Sequence, residues 1–187
     1  MATTIGVAVA VPDPWGKQLQ AYRARLGDVS AEGIPTHITL MPPYEATDEE
    51  LPDIEQHLAE AAAQNSAFTI HLRGTGTFRP VSPVVFVVVV EGISACEQLA
   101  FSIRRGPLAA DLQFPYHPHV TVAQELDDDC LDQAFDELAD FECSFTVDEF
   151  SLYKHDTRTG WNPTRSFRLT ARSDEDRRRM RIPTQSG

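Results

Sequence analysis

Cysteine is scarce in this chain, with Cys96, Cys130 and Cys143 the only three in 187 residues. An odd number without metal-type spacing excludes a disulfide scaffold and fits free thiols in a reducing compartment. Long apolar runs are missing as well. The longest, Val84 to Val90, falls far short of the ~20 residues that a membrane helix needs. The opening MATTIGVAVAVP carries no basic segment and no cleavage pattern, so neither a membrane span nor a signal peptide is expected, and the expected location is cytoplasmic. Basic side chains are few, 16 Lys and Arg against 28 Asp and Glu, for a formal net charge of −12. Residues 1–157 carry 25 acids against 8 bases, whereas residues 158–187 carry 3 against 8. That balance repels phosphate over most of the surface and excludes tight, non-specific binding to long nucleic acid. Self-repulsion also makes a monomer the expected state.

What is present is a globular composition, 42% hydrophobic and 24% charged, with enough chain to bury a core unaided. The pattern along it alternates strands and helices. Ile5 to Val11 reads as a buried strand ended by Pro12, and Leu19, Tyr22 and Leu26 mark one face of a helix over residues 15–26. His37 to Leu40 reads as a short strand stopped by Pro42 and Pro43, and Thr47 with Asp48, Glu49 and Glu50 opens a helix to about Gln64. Phe68 to Leu72 is a strand broken by Gly74 and Gly76. The order then repeats: strand Val84 to Val90, a helix capped by Ser94 to about Arg105, strand His119 to Val122, a helix opened by Asp127 to Asp129, alternation over Ser144 to Tyr153, and a last strand at Ser166 to Thr170. The spacings match between the halves, which implies an internal duplication. The expected fold is α+β and bilobal, with pseudo-twofold symmetry, two mainly antiparallel sheets, helices outside and a central cleft. One domain should span 1–172, with lobes of about 1–78 and 79–172, followed by a polar tail at 173–187.

The duplication carries two polar pairs on apolar strands. Residues i and i+2 of a strand share a face, so His37 projects with Thr39, and His119 with Thr121. A twofold relation brings all four together. Two imidazoles can divide general base and general acid near neutral pH. Two threonine hydroxyls can donate to phosphate oxygens. The set suits phosphodiester chemistry, and no serine or cysteine nucleophile stands out for acyl transfer. His117-x-His119 is a possible metal pair, but two further ligands are missing nearby, and Thr121 replaces the last histidine of a histidine-triad pattern. His57, His71 and His155 have no matching partners. Tyr44, Tyr116, Tyr153 and Trp161 are aromatics able to stack on a base, and Arg79 is placed to reach a phosphate in the cleft.

His37-Ile38-Thr39-Leu40 and His119-Val120-Thr121-Val122 resemble the paired motifs of the two-histidine (2H) phosphoesterase superfamily, which includes the bacterial 2'-5' RNA ligase or RNA 2',3'-cyclic phosphodiesterase group. Gly74 to Phe78 and Pro115 to His119 resemble the motif surroundings in that family. The resemblance implies catalysis by His37 and His119, phosphate binding by Thr39 and Thr121, and no metal or other cofactor. It also implies a reaction that opens a 2',3'-cyclic phosphate to a 2'-phosphate, or cleaves or joins a 2'-5' linkage. One departure is Ala123-Gln124, where many RNA-processing members have Ala-Arg; with the acidic body, it favours a small nucleotide or RNA end as partner. Tyr44, Arg79, Tyr116 and Tyr153 are the further candidates for binding it. Two alternatives remain at this stage: a module that binds nucleotides or RNA ends without turnover, and a metal-dependent hydrolase built on His117 and His119.

Overall fold

The alternation of small or polar residues with Ile, Leu and Val decides which face of each strand meets the helices, and thereby where the cleft forms. The computed structural model describes residues 2–109 and 114–171. The elements run β1 (Ala2–Ala10), α1 (Trp15–Arg25), β2 (His37–Thr47), α2 (Leu51–Gln64), β3 (Phe68–Thr77), β4 (Val84–Glu91), α3 (Ile93–Ile103), β5 (His119–Gln124), α4 (Asp128–Glu137), β6 (Glu142–Val147), β7 (Glu149–Asp156) and β8 (Gly160–Arg168). They build two four-stranded sheets, ordered β2-β1-β7-β8 and β5-β4-β3-β6, in which the strand pairs are antiparallel. The expected α+β class with two antiparallel sheets is the observed one. The expected tail at 173–187 lies outside the described residues.

The core explains the register. Ile5, Val7 and Val9 of β1, Ile38 and Leu40 of β2, Val85, Val87 and Val89 of β4, and Val120 and Val122 of β5 are all buried. They pack in one apolar cluster with Leu19 of α1, Ile54 and Leu58 of α2, Leu99 and Ile103 of α3, and Leu131 of α4. Fully burying a side chain of this size is worth roughly 1.5–3 kcal/mol, so slipping β2 or β5 by one residue would exchange apolar for polar side chains in the core. Their intervening residues must face the other way.

The two sheets do not follow the sequence halves at 1–78 and 79–172. In the first half the strand after the second helix crosses over, and in the second half the strand after that one: β3 pairs with β4 and β6, and β7 pairs with β1 and β8. The physical reason is that β3 and β4 are joined by a short turn, and an antiparallel hairpin between them closes at low entropic cost. The alternation over Ser144 to Tyr153 reads as one strand in the sequence, and it is two. β6 ends at Val147, β7 begins at Glu149, and the two belong to different sheets.

Three local boundaries differ for identifiable reasons. Pro42 and Pro43 do not stop β2, because β2 is an edge strand and the pairing shifts there, from Val7 opposite Met41 to Ile5 opposite Tyr44. A proline at an edge irregularity sacrifices no ladder hydrogen bond. Gly74 and Gly76 likewise sit within β3, Gly74 in a pairing shift between Leu72 and Thr75 and Gly76 beyond it, opposite Phe86. α3 begins after Gly92, and Ser94 makes no capping bond. The starts of α2 and α4 follow the acids: Asp127 caps α4 by accepting from the Cys130 N–H at 2.8 Å. Thr47 and Glu50 close a reciprocal capping box ahead of α2. All three cysteines are free. Among the described residues, no helix is long and apolar enough to cross a membrane.

Candidate active site

The strands that carry the two motifs are the outer strands of different sheets, β2 and β5, and these edges touch each other. Since Ile38, Leu40, Val120 and Val122 point into the core, His37, Thr39, His119 and Thr121 point to the opposite side. There they line one cleft of about 740 Å³, within the range of small-ligand sites. The small residues Gly6 and Ala8 of β1 line it, and a side chain at Gly6 would crowd the Trp161 ring. Trp161 is held there by its hairpin. Gly160, at φ +76°, lies so close to Gly33 that any side chain would strike the Gly33 backbone.

The two imidazoles are fixed in the same way. His37 Nδ1 lies 2.6 Å from the Pro35 carbonyl, and His119 Nδ1 lies 2.7 Å from the His117 carbonyl. A carbonyl can only accept, so each Nδ1 carries the hydrogen and each neutral ring keeps a free Nε2 lone pair. Their surroundings differ. His119 meets the Phe78 ring edge-on at 4.9 Å and the Phe86 ring at 5.2 Å. His37 stands near the buried guanidinium of Arg23.

Burial pushes both imidazoles below the ordinary histidine range. For His37, the hydrogen bond to Pro35 opposes that shift and the charge of Arg23 adds to it. For His119, the bond to His117 opposes it, and the charges of His117 and His37 add to it. Each ring thus favours its neutral form. The electrostatic coupling of His37 to His119 makes a second proton on the pair harder to add than the first.

The remaining candidates divide. Tyr153 lines the cleft and is buried, and Trp161 lines it too. Tyr44, Arg79 and Tyr116 are not among the lining residues. Tyr44 packs against the core. Arg79 donates to Asp132 at 2.7 Å and pairs with Asp128 at 3.6 Å, held by two acids one turn apart on α4. Tyr116 donates its hydroxyl to the Thr39 carbonyl at 2.9 Å, tying the approach to β5 onto β2, while Arg104 stacks on its ring at 4.7 Å. His57, His71 and His155 also stand outside the cleft, bonded or packed to Ile103, Glu142 and Trp161.

His117 lines the cleft, but among the described residues no three His, Cys, Asp or Glu side chains are grouped as metal ligands. The sequence reading missed Arg23 and Phe86, and placed Phe78 only in the surroundings of the motifs. Arg23 follows Leu19 by four, on the apolar stripe of α1, and a charge on that stripe was the available signal.

The sequence profile of the 2'-5' RNA ligase superfamily matches residues 11–159. A Bacillus cytotoxicus protein named as a candidate phosphoesterase is 32% identical over 140 residues, covering 73% of this chain and 80% of its own. A Bacillus cereus protein of the same description is 31% identical over the same shares. Among solved structures, Escherichia coli LigT in its apo form superposes with a TM-score of 0.67 at 20% identity, covering 91% of this chain and 99% of its own. The same protein has been solved with 3'-AMP, with NADP+ and with ATP. A Thermus thermophilus protein superposes with a TM-score of 0.64 at 21% identity, covering 91% of this chain and all of its own. On its profile match and its relatives, this chain is a phosphoesterase of the 2'-5' RNA ligase (2H phosphoesterase) superfamily.

Proposed function

We propose that the enzyme acts on a small nucleotide or RNA end, opening a 2',3'-cyclic phosphate to a 2'-phosphate or cleaving or joining a 2'-5' linkage, without a metal. The observation that carries this reading is the pair of matched His-x-Thr strands on one cleft, each imidazole presenting a free Nε2. In hydrolysis, one neutral Nε2 takes a proton from water as its oxygen attacks phosphorus. The partner, holding the single proton that the pair accepts, gives it to the departing ribose oxygen. Thr39 and Thr121 donate to the non-bridging oxygens, where negative charge gathers in the transition state. In the joining direction the two roles exchange. The nucleotides bound by LigT support a small nucleotide as ligand, and Tyr153 and Trp161 offer aromatic walls for a base.

The test is a panel of nucleoside 2',3'-cyclic phosphates, assayed with and without chelator, with 2'- and 3'-phosphate products resolved. The expected result is 2'-phosphate formation that chelator leaves intact, with a bell-shaped pH profile. Binding without turnover, or turnover restored only by added metal, refutes the reading.

A further inference from the structure

Arg23 is 2% exposed, yet it belongs to the cleft wall. Its Nε and Nη2 donate to Asp28 Oδ2 at 3.0 and 2.8 Å, Nη2 reaches Ser30 Oγ at 3.3 Å, and Nη1 donates to the Ile34 carbonyl at 3.2 Å. Burial alone would raise the Asp28 carboxyl, but hydrogen bonds from Ser30 and Arg23 and the guanidinium charge hold it below its ordinary range. The pair is thus ionised and enclosed, with two guanidinium N–H groups converging on Oδ2 while Ser30 occupies Oδ1, and truncating one partner would strand the other charge. Burying two charges costs desolvation, and an apolar residue would fill the stripe beside Leu19 more simply.

The use of the pair lies one residue further on. Ile34 precedes Pro35, whose carbonyl fixes His37 Nδ1, and Thr36 is anchored to the Gly16 carbonyl at 2.9 Å. We propose that Arg23 is a positioning residue for His37: from α1 it fastens the backbone that carries the orienting carbonyl, and so aims Nε2 at the phosphorus. The second half has a counterpart. Arg104, at the end of α3, stacks on Tyr116, three residues before His119, as Ile34 lies three residues before His37. Each motif histidine is approached through a segment held by an arginine at the end of the preceding helix.

This inference rests on the acid–base reading of His37, so its test has one arm that needs no turnover. Arg23→Lys keeps the charge but loses the planar fork, since a single ammonium cannot bond Asp28 Oδ2 as Nε and Nη2 do while also reaching the Ile34 carbonyl. Among the described residues, the other charged or titratable groups on this side of His37 are Asp28 on the α1–β2 connection, His119 on β5 with His117 just before it, and Tyr153 of β7; all are unchanged in this variant. NMR of the imidazoles should show the His37 tautomer ratio and titration altered and those of His119 retained. With a cyclic phosphate substrate, kcat should fall roughly 10- to 100-fold, the scale of a slight misplacement of a reacting group, with KM little changed. A double variant, Arg23→Gln with Asp28→Asn, replaces the ion pair by uncharged groups and serves if the lysine variant does not fold. An unaltered His37 spectrum overturns the inference, as does a rise in KM at constant kcat, which would mark Arg23 as a direct substrate ligand. An inactive parent enzyme would refute the proposed reaction alone, and the spectra would still decide the role of Arg23.

Discussion

Replacing Phe86 by leucine tests how His119 is kept neutral. Phe86 is 5% exposed, its ring 4.5 Å from that of Phe78 and 5.2 Å from that of His119. Leucine keeps an apolar side chain in the core but withdraws the flat wall from the imidazole, leaving a gap on the cleft side that water can enter. The packing cost of such a swap is about 1 kcal/mol, or a melting point lower by about 2–4 °C for a chain of this size. The second effect is electrostatic. Burial is the largest cause of the depressed His119 pKa, so hydration must raise it toward the ordinary value of ~6.5.

The sign follows from proton linkage. A histidine depressed in the folded state contributes stability above its unfolded pKa, and that contribution is lost as pH falls through the folded value. The wild type is penalised in acid for protonating His119, and the leucine variant less so. Its deficit should therefore be largest near pH 8 and shrink toward pH 5, each tenfold gain in proton affinity being worth ~1.4 kcal/mol. Denaturant melts at the two pH values, together with an NMR titration of His119, check both effects. A His119 titration unmoved in a folded Phe86→Leu protein would refute the account of burial, whatever happened to stability.

His37→Gln and His119→Gln should each lower kcat/KM at least ~100-fold, the lower end for a positioned proton transfer, with a melting curve close to wild type. Thr39→Val and Thr121→Val each remove one donor, and should cost on the order of 100-fold in kcat under steady-state assay while KM changes less. Tyr116→Phe removes the bond to the Thr39 carbonyl; about 1 kcal/mol of stability should be lost in a denaturant melt, and nucleotide affinity by calorimetry should change little, because Tyr116 is not in the cleft wall.

The site was more legible in the sequence than the tertiary connections around it. Period-two alternation in His37 to Leu40 and His119 to Val122 says which side chains share a face, and burial of Ile38, Leu40, Val120 and Val122 enforces it. The same alternation says nothing about which strand is the neighbour, so the exchange of β3 and β7 between halves could not be read from it. Nor could the break at Asp148 in a run that alternates without interruption. Pro42 and Pro43 looked terminal because a proline is tolerated only where its missing N–H has no ladder partner, and edge position is a tertiary property. Tyr116 looked like a ligand-stacking aromatic, and its hydroxyl instead bridges backbone segments that lie far apart along the chain.

The exchanged strands also set the order in which this molecule can be assembled. β1 is an inner strand only once Ile5 has found Lys154, so that sheet stays half built until the last fifth of the chain has been synthesised. Pairings of such sequence separation are slow to form, and an N-terminal fragment ending in the turn after β3 would leave β1 without β7 and β3 without both β4 and β6. Supplied with the complementary fragment, it has a reason to associate, since each piece holds the strands that the other lacks.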